Sequence, residues 1–163
     1  MKNLFIVRHG KSSWDYDSID DIDRPLKNRG IADGYKMAGR LLKQKFKPDL
    51  LVSSSACRAF HTATIFHRVL HMDAEKFRID PALYLSGVDD ILSVIYGIDD
   101  RINSLMIFGH NPGFTDISNY LSTMNIDNVP TTGVVHLVFD TKKWTTIGRE
   151  VLVNESFDFP RKN

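Results

Sequence analysis

Cysteine is almost absent from this chain of 163 residues, which contains only Cys57. A single cysteine cannot form a disulfide within the chain, so the sequence predicts a protein that folds without covalent cross-links in a reducing compartment. We expect Cys57 to be a small buried residue, and a redox-active thiol is the alternative.

Long apolar runs and an excess of one charge sign are missing as well. No apolar run approaches the roughly 18 residues that a membrane-spanning helix needs, and Met1 leads directly into a strand-like segment, which leaves no room for a signal peptide. The 21 basic and 20 acidic residues give a net charge of +1, which by itself would attract neither nucleic acid nor a membrane surface. We therefore expect a soluble, cytoplasmic protein in which any basic binding site is local.

The composition that remains is that of an ordinary globular protein. Hydrophobic residues make up 42% and charged residues 25% of the chain, close to the averages for folded domains. No repeat or low-complexity segment interrupts it. The length and composition predict one domain that spans residues 1–163.

Short apolar segments alternate along the chain with segments whose apolar residues recur at helical spacing. The pattern predicts strands near residues 3–7, 50–53, 77–79, 104–108, 134–139 and 151–153, and helices near 28–44, 57–71, 88–98 and 114–122. This alternation indicates an α/β fold, a three-layer sandwich whose mostly parallel central sheet has helices on both faces. The serines at 53–55 are expected to cap the helix that begins near Cys57.

The segment from Asp15 to Asp23 contains five aspartates. Its polarity predicts an exposed loop. A solvated acidic loop is the favoured interpretation, although one of Asp15, Asp17, Asp20 and Asp21 could approach a functional site.

Guanidinium and imidazole side chains follow three of the predicted strands: Arg8 and His9 the first, Arg58 and His61 the second, and His110 the fourth. Because the carboxyl ends of parallel strands meet at one edge of a sheet, these side chains are expected to share one crevice, which Arg24 could join. A guanidinium group can bind two phosphate oxygens at once through two parallel hydrogen bonds, and an imidazole can accept a phosphoryl group. No cysteine pair or carboxylate–histidine spacing typical of a metal site accompanies them, so the pattern predicts phosphoryl chemistry without a metal or other cofactor.

Three motifs in this order resemble those of the histidine phosphatase superfamily, in the small phosphohistidine phosphatase branch similar to SixA. They are Arg8-His9-Gly10, Arg58-Ala59-Phe60-His61-Thr62 and Gly109-His110-Asn111-Pro112, with Arg24-Pro25-Leu26 and Pro130-Thr131-Thr132-Gly133 as further points of likeness. The resemblance spans most of the chain. It implies a phosphoglycerate mutase-like fold.

The same resemblance implies a role for each matching residue. His9 would be the nucleophile that forms a phosphohistidine, which water then hydrolyses, and Arg8, Arg58 and His110 would be catalytic groups that hold the phosphoryl oxygens. Substrate contacts are implied for Arg8, Arg24, Arg58, His110, Asn111 and Thr132. His61 stands where many members have glutamine, so its role stays open.

The sequence departs from the family pattern where a general acid is expected. Many members carry a carboxylate after the third strand, but here none stands between Asp80 and Asp89. Proton donation matters most for a poor alkoxide leaving group and less for an imidazole. The sequence therefore predicts a phosphohistidine phosphatase acting on a phosphorylated protein partner. The alternatives are a phosphatase of small phosphate esters and a phosphate-binding module without turnover.

Overall fold

A single six-stranded sheet forms the middle of the molecule, described by a computed structural model for residues 1–162. Its strands are β1 (Lys2–Arg8), β2 (Leu50–Ser53), β3 (Phe77–Ile79), β4 (Ser104–Gly109), β5 (Val134–Phe139) and β6 (Leu152–Asp158). They lie in the order β3-β2-β4-β1-β5-β6. The pairings among β1, β2, β3 and β4 are parallel, and those of β5 with β1 and with β6 are antiparallel.

Four α-helices cover the two faces of the sheet. They are α1 (Asn28–Lys43), α2 (Cys57–Val69), α3 (Val88–Tyr96) and α4 (Gly113–Leu121). Along β1, Phe5 and Val7 pack into the core under α1 and α2, and Leu4 and Ile6 pack into the core under α3 and α4. Because successive side chains of a strand point to opposite faces, this alternation confirms the predicted three-layer α/β sandwich.

Two expectations about the start of α2 are wrong. Ala56, not a serine, is its N-cap residue, and the Ser54 hydroxyl instead accepts the backbone N–H of Ala56 at 3.2 Å. Cys57 is exposed, not buried, because α2 turns its apolar side, including Ala59, Ala63 and Phe66, toward the sheet.

The last strand is longer than its sequence pattern predicts, since β6 runs over Leu152–Asp158 and not only over 151–153. The other strands and helices lie within about two residues of their predicted bounds, the usual uncertainty of element ends. None of the helices within residues 1–162 is long and apolar enough to cross a membrane.

Candidate active site

The carboxyl ends of β1 and β4 meet where the sequence predicts a crevice. The backbone N–H of His9 donates to the carbonyl oxygen of Gly109 at 3.0 Å, which ties the two strand ends together. The imidazole rings of His9 and His110 lie 5.1 Å apart between centroids at an interplanar angle of 48°.

His9 is a buried, neutral imidazole with one nitrogen available for chemistry. Its side chain is 7% exposed, and its Nδ1 lies 2.7 Å from the carbonyl oxygen of Gly10. A carbonyl oxygen only accepts hydrogen bonds, so Nδ1 carries the proton and Nε2 keeps a free lone pair. Burial, aided by His110 and by the charges of Arg58 and Arg8, outweighs the bond to Gly10 and lowers the pKa of His9 to about 3, which keeps the ring neutral at neutral pH.

The loop after His9 is held by contacts with two helices. The Gly10 N–H donates to the Thr62 hydroxyl at 2.9 Å, and that hydroxyl donates to the carbonyl oxygen of Arg58 at 2.7 Å. On the other side, Gly30 of α1 lies so close to Lys11 that a Cβ at residue 30 would overlap the Lys11 backbone. These contacts fix the direction in which the His9 ring points.

Arg58 is held by Asp21 through two of its nitrogens. Nη1 donates to the Asp21 carbonyl oxygen at 2.7 Å, and Nη2 donates to Asp21 Oδ2 at 3.0 Å. The Arg58 side chain is nearly fully buried, so the pair fixes the guanidinium plane and leaves Nε directed elsewhere.

Arg24 shares the same carboxylate from the other side. Its Nε donates to Asp21 Oδ1 at 3.1 Å, and its Nη1 donates to the Ser12 hydroxyl at 3.0 Å. The guanidinium lies 3.5 Å from the centroid of the exposed Trp14 ring. Arg24 therefore contacts the carboxylate that holds Arg58, and its substrate contact stays a prediction.

His110 is oriented by the hydroxyl of Ser54, which lies 2.8 Å from Nε2. Because that hydroxyl already accepts the Ala56 N–H, its own proton can be donated to Nε2, and the neutral ring then carries its proton on Nδ1. Burial is the main cause, followed by the charge of Arg58, of a pKa lowered to about 4, which Asp21 partly opposes. His110 thus presents a neutral N–H donor.

Four buried polar atoms around His9 have no hydrogen-bond partner within residues 1–162: Arg8 Nε, Arg58 Nε, His110 Nδ1 and Thr132 Oγ1. Arg8 is aimed by a bond from Nη1 to the carbonyl oxygen of Val129 at 3.0 Å. The Thr132 backbone N–H lies 3.1 Å from the carbonyl oxygens of both Arg8 and His9. Unpaired buried donors are costly and mark functional sites, and two guanidinium groups with an imidazole N–H and a hydroxyl suit a tetrahedral oxyanion.

Two further residues of the predicted site lie at its edge. The Asn111 amide is engaged by the protein itself, since it donates to Asn128 and to the Val129 carbonyl at 2.9 Å each and accepts from Thr115. Its substrate contact stays a prediction. His61 is half-buried, and no side-chain hydrogen bond of His61 occurs in the described part of the chain.

Tyr84 enters the site without having been predicted for it, and Asp21 was named only as one of four aspartates that could approach a functional site. The interpretation of 15–23 as a wholly solvated loop is wrong for Asp21, although the other four aspartates of this segment form no ion pair within the described residues. Tyr84, from the segment that lacks a carboxylate, donates its hydroxyl to Asp21 Oδ2 at 2.5 Å. Its ring lies edge-on to His110. A further sequence signal was the spacing of Asp21 and Arg24, which suits an ion pair across a single helical turn.

Residues 1–162 contain no group of three or more histidine, cysteine or acidic side chains that could hold a metal ion. The polar groups gathered around His9 are donors and cations, which fit an anionic ligand.

Comparisons with known proteins agree with this geometry. Residues 4–83 match the histidine phosphatase superfamily, branch 1. An uncharacterised chloroplast protein of Arabidopsis thaliana is 32% identical over a region that covers 77% of this chain and 61% of that protein. The chain thus aligns with about three fifths of the length of this plant relative.

Solved structures show the same fold. A candidate phosphohistidine phosphatase, SixA from Agrobacterium tumefaciens, superposes with a TM-score of 0.76 and 25% identity over 85% of this chain and 92% of that one. The protein histidine phosphatase SixA in complex with tungstate superposes with a TM-score of 0.77 and 20% identity over 97% of both chains. With the motifs, the match over 4–83 and these superpositions, the chain is similar to the histidine phosphatase superfamily and to SixA.

Proposed function

We propose that this protein is a phosphohistidine phosphatase that works through a covalent phosphoryl intermediate on His9. The observation that carries the proposal is the set of unpartnered, buried Arg8 Nε, Arg58 Nε, His110 Nδ1 and Thr132 Oγ1 around a neutral histidine. Such an arrangement can hold three phosphoryl oxygens while a ring nitrogen attacks phosphorus in line.

The reaction would begin with the lone pair of His9 Nε2. A P–N bond forms to His9 as the bond from phosphorus to the leaving group breaks, and the leaving atom keeps that electron pair. Water then attacks phosphorus as the P–N bond breaks, the electron pair returns to His9 Nε2, the water proton is lost to phosphate or solvent, and inorganic phosphate leaves. Arg8 and Arg58 offset the charge of the transferring group, and His110 donates from Nδ1. No step requires a metal, so we expect activity in the presence of a chelator.

The leaving group favours phosphohistidine over an alkyl ester. Between Asp80 and Asp89 the side chain that reaches the site is Tyr84, and its pKa is raised above its ordinary value by the hydrogen bond to Asp21. A hydroxyl of raised pKa is a poor acid for expelling an alkoxide. An imidazole needs less help, because its conjugate acid is far stronger than an alcohol.

The position of the site favours a phosphorylated protein as substrate. Trp14 and Tyr16 are exposed in the loop that carries Asp21, and the Asp21 side chain is 44% exposed at the mouth. A histidine on the surface of a partner protein could therefore approach without opening a lid.

The test of substrate class is a side-by-side comparison of kcat/KM for a phosphohistidine peptide, glycerol phosphate and p-nitrophenyl phosphate, each with and without EDTA. We expect the phosphohistidine peptide to exceed glycerol phosphate by at least about 100-fold, the low end of what a general acid contributes. The aryl phosphate should fall between them, and EDTA should change none of the rates.

Equal rates on glycerol phosphate and phosphohistidine would favour a phosphatase of small esters. Absence of turnover on all three would favour a phosphate-binding module. Loss of activity in EDTA that a divalent ion restores would contradict the metal-free mechanism.

A further inference from the structure

Asp21 lies at the mouth of the site with acceptor capacity to spare. Its carboxylate receives hydrogen bonds from Arg58 Nη2 at 3.0 Å, Tyr84 at 2.5 Å and Arg24 Nε at 3.1 Å. A carboxylate offers about four acceptor directions, and 44% of the Asp21 side chain is exposed. One acceptor direction therefore remains for a group that enters from solvent.

The carboxylate is also linked through Arg58 to the atoms that would hold the phosphoryl group. The Arg58 guanidinium uses both terminal nitrogens for Asp21 and keeps Nε unpartnered. If Nε holds a phosphoryl oxygen, Asp21 stands on the far side of the same planar group. Arg58 would thus bind the phosphoryl group and the Asp21 carboxylate at the same time.

Phosphohistidine has a particular need at this point of the reaction. When the P–N bond breaks, the ring nitrogen keeps the electron pair, and the ring leaves as neutral imidazole only if its other nitrogen already carries a proton. Without that proton it would have to leave as an imidazolate anion. An ionised carboxylate that accepts a hydrogen bond from this second N–H stabilises the protonated ring.

We propose that Asp21 is a specificity-determining residue whose carboxylate accepts a hydrogen bond from the second ring nitrogen of a phosphohistidine substrate. The inference rests on the proposed function and extends it to the leaving group. It assigns an anionic acceptor, in place of a protonated acid, to the substrate side of the site. An ester offers no N–H to this acceptor, so the contact selects against esters.

The charges around Asp21 keep it ionised. Arg24, Arg58 and Tyr84 contact it, His110 faces it across the crevice, and Asp20 and Asp23 flank it in sequence. Partial burial raises the pKa of Asp21, but the hydrogen bonds from Tyr84 and Arg58 outweigh that effect and lower it to about 2. An ionised carboxylate can accept a hydrogen bond from a ring N–H, but it cannot serve as a general acid at neutral pH.

The test uses the ratio of kcat/KM on a phosphohistidine peptide to kcat/KM on p-nitrophenyl phosphate, measured at pH 6 and pH 8.5 and corrected for spontaneous hydrolysis. In Asp21→Asn we expect this ratio to fall by about 10-fold or more at pH 8.5, the size of a hydrogen bond to a charged group. The fall should be smaller at pH 6, because an imidazole with a pKa near 6.5 is then largely protonated without help. The ratio cancels any effect of Asp21 on the placement of Arg58, since both substrates need that residue.

Two variants serve as controls. Asp23→Asn removes the same charge from the same loop at an exposed residue without an ion pair among the described residues, so its ratio should match that of the unaltered protein. Asp21→Glu keeps an anionic acceptor and should restore part of the ratio. An unchanged ratio in Asp21→Asn, or an equal fall at both pH values, overturns the inference. An unaltered protein that hydrolyses the aryl phosphate but not the phosphohistidine peptide overturns the proposed function as well.

Discussion

Three histidine side chains, His9, His110 and His136, are buried in their neutral form. His136 stacks on Phe5 with ring centroids 4.0 Å apart and pairs through Nε2 with Asn3 Oδ1 at 2.9 Å. Burial lowers the pKa of His136 to about 4, as it lowers that of His110 to about 4 and that of His9 to about 3. Two of the three serve the candidate site, and the third is part of the core between β1 and β5.

Because their pKa values are lowered in the folded protein, these three histidines should make the folded state less stable in mild acid. In the unfolded chain they titrate near pH 6.5, so between about pH 6.5 and pH 4 the unfolded state binds protons that the folded state does not. The free energy of unfolding is therefore fully retained above pH 6.5 and falls with decreasing pH, by up to about 1.4 kcal/mol per pH unit for each histidine. Urea unfolding from pH 7.5 to pH 4.5 measures this slope.

The variant His136→Phe isolates one of the three contributions. Phenylalanine can keep the stacking on Phe5 but cannot bind a proton. The free energy of unfolding should therefore change near pH 5 by up to about 1.4 kcal/mol per pH unit less than in the unaltered protein, which corresponds to one proton. Equal slopes would show that His136 does not titrate differently in the folded and unfolded states.

Among single residues, the sequence singled out the cations and ring nitrogens of the candidate site, whereas its carboxylate was only one of four aspartates that could approach. Arg8, His9 and His110 stand at or next to strand ends, and Arg58 lies in the first turn of the helix that follows β2, so their positions in the chain determine their positions in space. Asp21 and Tyr84 lie outside the main helices and strands. Asp21 precedes Arg58 by 37 residues and Tyr84 by 63 residues. Whether a loop aspartate is solvated or paired depends on how the loop closes, which no local pattern determines.

At the scale of elements, α1 supports the loop that carries the nucleophile. Gly30 near the start of the helix touches the Lys11 backbone, and a Cβ there would overlap it, whereas a Cβ at Gly39 in the same helix would meet nothing within 4 Å. A substitution at Gly39 can therefore serve as the control for the same substitution at Gly30.

We expect opposite effects from alanine at these two positions. Gly39→Ala should stabilise the protein by up to about 1 kcal/mol, because alanine favours a helix interior over glycine. Gly30→Ala should destabilise the protein and lower kcat/KM, since it displaces the turn after His9. Thermal unfolding and assays on p-nitrophenyl phosphate measure both, and a Gly30→Ala protein with unchanged activity would show that α1 does not position this loop.

The elements that the sequence predicted well are those buried on both faces. The strands β1 and β4 are short continuous apolar runs, and such runs have few other interpretations between turn residues. The edge strand β6 was underestimated because Leu152–Asp158 is partly exposed throughout and shows only weak alternation. The predicted serine cap of α2 was wrong because Ser54 lies two residues before the N-cap position and its hydroxyl pairs with His110 instead.

At the scale of the whole molecule, the order of the strands in the sheet brings the residues of the candidate site together. The strand β1 lies between β4 and β5, and it pairs in parallel with β4 so that Arg8 is opposite Gly109. This register brings His9 and His110 together although about 100 residues of chain separate them. The alternation of strands and helices predicted the fold class, whereas the register and the loop closures come from packing across the sheet.

The central claim is that the phosphoryl group passes through His9, and rapid quenching of a single turnover tests it most directly. A phosphohistidine peptide with radiolabelled phosphate is mixed with excess protein, the reaction is stopped in base, and the labelled position is mapped by mass spectrometry. We expect the label to appear on His9 at least as fast as phosphate is released and then to disappear, and we expect a folded His9→Ala protein to show neither label nor turnover. Label on another residue, or turnover by His9→Ala above a few per cent, would contradict it.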